Sequence, residues 1–407
     1  MNGSLVPPFT LLCFGYHPWS SVWKRNQSMM AALANRPSIE RIVFLNPEVS
    51  AAAPGHLVHD LRTLRRHSWR GVIPSHPRPK VEVMTPVHWL PLRGRSPRLA
   101  ELDRQIIRSR LLAATAGRPF ILFLNGVREE TINTSDLIVD YAAFRIFDWS
   151  DDFAQFPRDP AAKAHIEELT RHCLDTADLV FAVNENLAER ARARGARVEL
   201  VINATGLSPQ GERGPGGMEA SQLAAGLARP ILGYSGFINE HRVDRELVHE
   251  LARRHPDWTI LFLGLVQLDF DRGFSDVPNV VFHPLVPYAK LADYLALFDV
   301  CLIPHLDNPH TAGNNPLKLY DYLTTGRPIV ATRVAGIAGF EDVVHVAADR
   351  ADFVAAVERA VATEEPAAMA ARRRARAVEH TWEARARQVE AAILATIRDR
   401  EAAGQAP

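Results

Sequence analysis

Along this chain, short apolar runs alternate with longer stretches in which apolar residues return every three or four positions. The runs Phe9–Phe14, Arg41–Asn46, Phe120–Asn125, Phe144–Asp148, Asp178–Val183 and Val198–Ile202 predict buried strands, and so do Pro230–Ser235, Trp258–Leu263, Asn279–Phe282, Asp299–Pro304 and Pro328–Thr332. Between them the helical period predicts helices over Asn26–Ala34, Pro160–Thr176, Glu185–Arg194, Arg245–His255, Lys290–Phe298 and Ala351–Glu364. A long Ala/Arg-rich helical segment follows, from about Ala367 to Arg400. Strand and helix in alternation imply an α/β chain with parallel sheets. The pattern fails at Ser208–Gly217, which is rich in Gly and Pro. That break predicts a first domain at 1–207, a linker at 208–228, a second domain at 229–380 and a last helical segment at 381–407.

The stretch Asn314–Val330 has the sharpest punctuation. Asn315 suits an N-cap, Pro316 suits the first helical position, and Gly326 with Pro328 supplies the stop. With a strand on either side, this is a crossover whose strand-to-helix loop lies at the carboxyl edge of a parallel sheet, where such sheets bind ligands. Lys318 falls in the first turn, among unpaired N–H groups at the positive end of the helix dipole, a combination suited to a phosphate. Asp321 follows on the same face, so a plain Lys318–Asp321 surface pair is the competing reading.

Composition narrows the class. A chain of 407 residues can bury two cores. Lys plus Arg balance Asp plus Glu at 47 each, so no global field argues for nucleic acid. Cys13, Cys173 and Cys301 sit far apart in apolar runs, which suits reduced cysteines in a cytoplasmic protein and offers no metal knuckle. No run approaches the roughly 20 apolar residues of a membrane span, and the start lacks a signal-peptide pattern. Locally, 60–110 is basic: Arg62, Arg65, Arg66, Arg70, Arg93 and others outnumber Asp60, Glu82, Glu101 and Asp103, with Trp69, Trp89 and Leu92 interspersed. Such a stretch reads either as a solvated face or as a peripheral contact with the inner membrane surface or an anionic acceptor.

Two more places carry candidate chemistry. After the first strand, Tyr16, His17, Trp19 and Trp23 offer rings that stack on the apolar face of a sugar, with Lys24 and Arg25 for an anionic acceptor. Packing explains the same aromatic residues. After the strand ending at Asp148, Asp151 and Asp152 stand where active sites gather and could serve as a base or hold an acceptor hydroxyl; an N-cap cluster is the alternative.

Asn315-Pro-Leu-Lys-Leu-Tyr-Asp-Tyr-Leu-Thr-Thr-Gly-Arg-Pro-Ile-Val330 resembles the donor-binding signature of two-domain GT-B glycosyltransferases, nearest a bacterial subgroup related to retaining family 4. The resemblance covers most of the chain, strongest from Pro230 to about Trp382 and loose before Asp148. It implies two Rossmann-like doubly wound domains facing across a cleft, with the last helix returning to the first domain. A nucleoside-diphosphate sugar would be the co-substrate, a glycan, lipid-linked or small molecule the acceptor, and no cofactor or metal would be needed. It implies donor contacts at Gly236, Phe237, Arg242, Val286, Asn314, Asn315, Lys318, Leu319 and Asp321. Acceptor contacts would fall at Tyr16, Trp19, Trp23 and Arg25, and catalytic roles on Asp151, Asp152, His17 and Lys318. Two departures stand out. Gly313 occupies the place of the family's sugar-side acid, and Asn203-Ala-Thr-Gly206 replaces an Asn-Gly-acid pattern. They keep open a catalytically silent nucleotide-sugar-binding scaffold, and the fold also hosts sugar-nucleotide epimerases.

Overall fold

The computed structural model describes residues 8–20, 23–50, 74–90, 95–209 and 217–404. The basic positions within 60–73 and 91–94, including Trp69 and Leu92, lie outside these residues, as does most of the Gly/Pro-rich break. The chain divides into two compact units, residues 1–202 with 383–407, and residues 203–382.

In the first unit the strands are β1 (Phe9–Phe14), β2 (Ile39–Leu45), β3 (Val49–Ser50), β4 (Ser75–Arg78), β5 (Val81–Met84), β6 (Val87–His88), β7 (Phe120–Asn125), β8 (Ala142–Trp149), β9 (Leu179–Ala182) and β10 (Val198–Leu200). Its main sheet runs β10-β9-β8-β7-β1-β2-β5-β4, parallel except for β4. The central strands β1 and β7 are buried along their whole length because both faces are covered. Leu12, Phe14, Val43 and Leu122 meet Ile107 and Leu111 of helix Pro97–Ala114, while Phe147, Trp149 and Val180 meet Cys173, Leu174 and Leu187.

One ion pair ties these elements together. Nε of Arg25 donates to both Asp148 oxygens at 3.0 and 3.1 Å, Nη2 donates to Oδ1 at 2.7 Å, and Asn125 Nδ2 donates to Oδ2 at 3.1 Å. Arg25 opens helix Arg25–Leu33, so the pair clamps that helix onto the ends of β7 and β8. The C-terminal helix Trp382–Ala402 also belongs to this unit from Glu383 onward. Glu390 accepts from Arg36 at 2.6 Å and from Ser38, and Gln388 donates to the Leu200 carbonyl at 2.8 Å.

The second unit holds β11 (Ile231–Ser235), β12 (Thr259–Leu263), β13 (Val280–His283), β14 (Val300–Ile303), β15 (Ile329–Thr332) and β16 (His345–Ala347). Its sheet is parallel, in the order β13-β12-β11-β14-β15-β16. That is the dinucleotide-fold order, which reverses between β11 and β14. Leu232, Tyr234 and Phe262 pack on Leu247, Leu251, Phe353 and Val357 from helices Arg245–Arg254 and Arg350–Ala362.

One expectation is revised, and two segments gain detail. The helix of the central crossover is Leu317–Thr325, and its N-cap is Pro316, not Asn315. The Asn315 side chain is spent on tertiary bonds: Oδ1 accepts from the Asn203 N–H and the Tyr320 hydroxyl, each at 2.9 Å. At the other end Gly326, at φ +72°, closes the helix in the left-handed conformation. The long Ala/Arg segment is two helices, Ala367–Glu379 and Trp382–Ala402, because the backbone between them pairs with Thr205. The stretch 208–228, expected as linker, contains helix Gly217–Ala225.

Asp148→Asn should destabilise the protein by about 3–5 kcal/mol, since it strands a buried guanidinium. Arg25→Met with Asp148→Leu should recover much of that loss. Urea midpoints at pH 7 for wild type, single and double variants check this.

Candidate active site

The reversal of strand order in the second sheet puts two loops side by side, one after β11 and one after β14. Immediately past β11, Gly236 has φ +127°, and a Cβ there would come within 3.3–3.4 Å of Lys318 Cε and Nζ. Gly264, at φ +148°, lets the Gly236 carbonyl approach where its own Cβ would lie, at 1.9 Å. From beneath, Tyr234 donates to the Phe237 carbonyl at 3.1 Å, and the Ser235 N–H donates to Tyr322 Oη at 2.7 Å. Past β14, Val243 bridges to His305, and the N–H groups of Asp244 and Leu306 donate to the carbonyls of Pro304 and Arg242. This pairing sets Arg242 beside the end of β14.

Four basic side chains gather there. Lys318 is buried, its Nζ 3.3 Å from His305 Nε2 and 3.8 Å from the centre of the Tyr234 ring. Arg242 Nη2 lies 3.4 Å from His310 Nε2. Among the described residues no carboxylate pairs with Lys318 or Arg242. Burial, and then the Arg242 charge, hold the Lys318 ammonium well below its ordinary value; burial, Lys318 and Arg242 do the same to His305. A buried cation with no counter-ion costs several kcal/mol, and an anion at this place would remove that cost.

Asp321 faces other partners. It accepts from Thr205 Oγ1 at 2.6 Å and from Tyr288 Oη at 3.1 Å, so the Lys318–Asp321 surface pair does not form. Burial pushes its carboxyl up to about 7, against the two hydrogen bonds. Of the other donor candidates, Phe237 is 46 % exposed beside the glycine, and Val286 lies buried in the loop after β13. Asn314 precedes the helix, close to Gly336. Leu319 and Asn315 hold internal places. Leu319 is fully buried and its N–H donates to the Pro316 carbonyl, while Asn315 is locked as described above.

In the first unit, β1 and β7 mark the corresponding reversal. Tyr16 packs on Phe153 and His17 at ring separations of 4.6 and 4.9 Å, and it fills the space over Gly126. Arg128 lies 5.8 Å from the Tyr16 ring. Burial, with Lys24 and Arg128 nearby, pushes His17 down to about 3, so it is neutral at pH 7. Trp19 packs on Phe44 and Trp23, and Arg78 covers Trp23 at 4.7 Å. Asp151 sits half-buried at the start of the turn after β8. Two candidates are already committed to internal bonds. Arg25, 5 % exposed, serves Asp148, and Asp152 accepts from Arg190 Nη1 at 2.7 Å.

Sequence reasoning missed His305, Tyr234, Thr205, Tyr288 and Arg128. Position alone could have found His305, which follows the predicted strand into the same carboxyl edge as Lys318.

Residues 241–391 match the family described as glycosyl transferase-like. That match covers the second unit from His241 onward and the start of the last helix. It is 29 % identical over 136 residues to a putative teichuronic acid biosynthesis glycosyltransferase of Bacillus subtilis, covering 32 % of this chain and 34 % of the relative. The match thus spans about a third of that relative's length. Among solved structures it is similar to sucrose-phosphate synthase from Thermosynechococcus elongatus (TM-score 0.69, 15 % identity, covering 97 % of this chain and 100 % of that one). It is also similar to Anabaena HepE in complex with UDP (0.62, 13 %, 95 % and 100 %), and to an Escherichia coli trehalose-6-phosphate protein bound with UDP-2-fluoro glucose (0.63, 11 %, 95 % and 99 %). At such identities the likeness speaks for the fold. Among the described residues no helix is long and apolar enough to cross a membrane.

Asp321 yields a stability prediction. Its folded pKa exceeds that of the unfolded chain, so the native state binds the extra proton between about 4 and 7. Stability therefore falls as pH rises through that window, by up to about 4 kcal/mol for a shift near three units. Asp321→Asn should remove this slope, leaving the variant's melting temperature above wild type at pH 8 and close to it at pH 4.5.

Proposed function

We propose that the chain is a nucleotide-sugar-dependent glycosyltransferase whose second unit binds the donor. The observation that carries this reading is the buried Lys318 beside Arg242, paired with no carboxylate among the described residues, at the strand-order reversal of a parallel sheet. A diphosphate supplies the missing charge, and Gly236 gives it close access to the backbone. Asn314 and the loop around Val286 complete the donor contacts on this reading, with Phe237 at the rim.

Transfer of a sugar leaves a nucleoside diphosphate carrying more negative charge than the donor did. Lys318 and Arg242 face that growing charge from fixed positions in a water-poor setting, the arrangement that lowers a barrier by electrostatic stabilisation. No step asks for a metal. Retention of configuration follows from the resemblance rather than from any distance. The acceptor falls to the first unit, where Tyr16, Trp19 and Trp23 offer stacking faces and Asp151 a carboxylate; His17, neutral, can exchange hydrogen bonds with a hydroxyl. Bacterial polysaccharide or glycoconjugate assembly, at the cytoplasmic face of the membrane, is the setting we propose.

The test is thermal stabilisation by UDP, GDP, ADP and dTDP and their glucose or mannose esters. A ligand at a hundredfold excess over its Kd adds about 2.7 kcal/mol. One nucleotide series should raise the melting temperature, and Lys318→Ala, still folded, should lose most of that rise. No shift with any of them overturns the donor reading.

A further inference from the structure

The contact between Lys318 and His305 poses a proton problem. Nζ and Nε2 are 3.3 Å apart, so one of them accepts a hydrogen bond from the other. Suppose Nε2 accepts. The imidazole proton must then sit on Nδ1, which is buried with no hydrogen-bond partner. Suppose instead Nε2 carries the proton. Then Lys318 can accept it only as a neutral amine. Each arrangement leaves either a buried N–H unsatisfied or a lysine discharged.

The surroundings offer no relief. The groups facing the couple are the Tyr234 hydroxyl, 3.4 Å from Nε2, together with Arg242 and His310, which bear on His305 by their charge. The Tyr234 hydroxyl donates to the Phe237 carbonyl, so its oxygen can accept from Nε2 but cannot protonate it. An Nε2–H turned there leaves Nζ 3.3 Å from a nitrogen with no lone pair to offer an ammonium. None of these groups is a carboxylate, and two are cationic or become so. Burial and Arg242 already disfavour the charged forms of both Lys318 and His305. In the empty pocket the couple is therefore short of protons relative to two exposed bases.

We propose that Lys318 and His305 act as one proton-accepting couple, which takes a proton from solvent as the donor's diphosphate enters. This rests on the donor reading above. His305 is a positioning residue: it reaches the ligand through Lys318, holding Nζ over the Tyr234 ring and toward Gly236. The proton balance is simple. Solvent supplies one proton on binding, no bond to the ligand forms or breaks, and the proton returns to solvent when the nucleotide leaves. The device keeps the cost of a bare buried cation out of the empty state and supplies full charge only when an anion is present.

Isothermal titration at pH 8 tests this, with UDP, GDP, ADP and dTDP each run in HEPES and in Tris, buffers of different ionisation enthalpy. At this pH a nucleoside diphosphate is close to fully ionised, its second phosphate pKa being near 6. For the nucleotide that binds, wild type should take up close to one proton per site, and its affinity should fall by up to tenfold per pH unit above pH 8. Lys318→Arg, whose guanidinium stays charged, should bind with no uptake. His305→Gln should bind with uptake well below that of wild type, whereas a purely structural His305 would leave the count unchanged. Binding without proton uptake by wild type overturns the couple and leaves the donor reading standing. Absence of binding by all four nucleotides overturns both.

Discussion

A buried lysine amine at the carboxyl edge of the second sheet, with no carboxylate paired to it among the described residues, is the constraint that explains most of what surrounds it. Burying its charged form is unfavourable by several kcal/mol, so its neighbours must tolerate either form of the amine. Tyr234 offers a ring face, which attracts the cation without demanding a proton, and His305 offers a nitrogen that can give or take one. Gly236 and Gly264 clear the space on the remaining side. Any side chain at Gly264 would strike the Gly236 carbonyl and move the loop against which Lys318 rests.

The two sheets treat a buried cation in opposite ways. At the end of β8, Arg25 is met by a carboxylate on the same scale of burial, with Asn125 filling a remaining acceptor site. In that cluster charge is met by charge, so it works as a fastening between helix and sheet. At the end of β14 the cations have rings and imidazoles for company, and an anion is what would complete them. One physical cost, that of removing charge from water, thus marks a structural position in one unit and a candidate binding position in the other.

Much of the fold was legible because its signals are local. Apolar runs bounded by turns located most strands of both sheets, β4, β5 and β16 excepted, and Gly326 with Pro328 marked the end of the central helix. What escaped was tertiary. Asn315 has every local mark of an N-cap, yet Asn203 and Tyr320 claim its oxygen, and no sequence window contains that competition. Arg25 looked available because its partner, Asp148, lies more than a hundred positions away. The candidate site was legible only as a gathering of Lys318, Arg242 and Gly236, which punctuate strand ends and a helix start. It was illegible at His305, whose role depends on the β11–β14 adjacency rather than on its own neighbours in the chain.

The placement of Asp321 bears on the same charge economy. It stands one turn beyond Lys318 on one helix, close enough that a direct pair would cancel the positive field at the helix start. Instead the carboxyl takes hydrogen bonds from Thr205 and Tyr288, in a setting buried enough to hold its pKa near neutrality. Through the acid half of the physiological range it is largely uncharged, and Lys318 keeps its field undiminished. As the carboxyl ionises, part of that field is offset, so a diphosphate would be held less firmly at high pH for a second reason besides the state of the lysine. Hydroxyl partners in place of a cation thus separate the two charges of this helix functionally, although they lie within a single turn of each other.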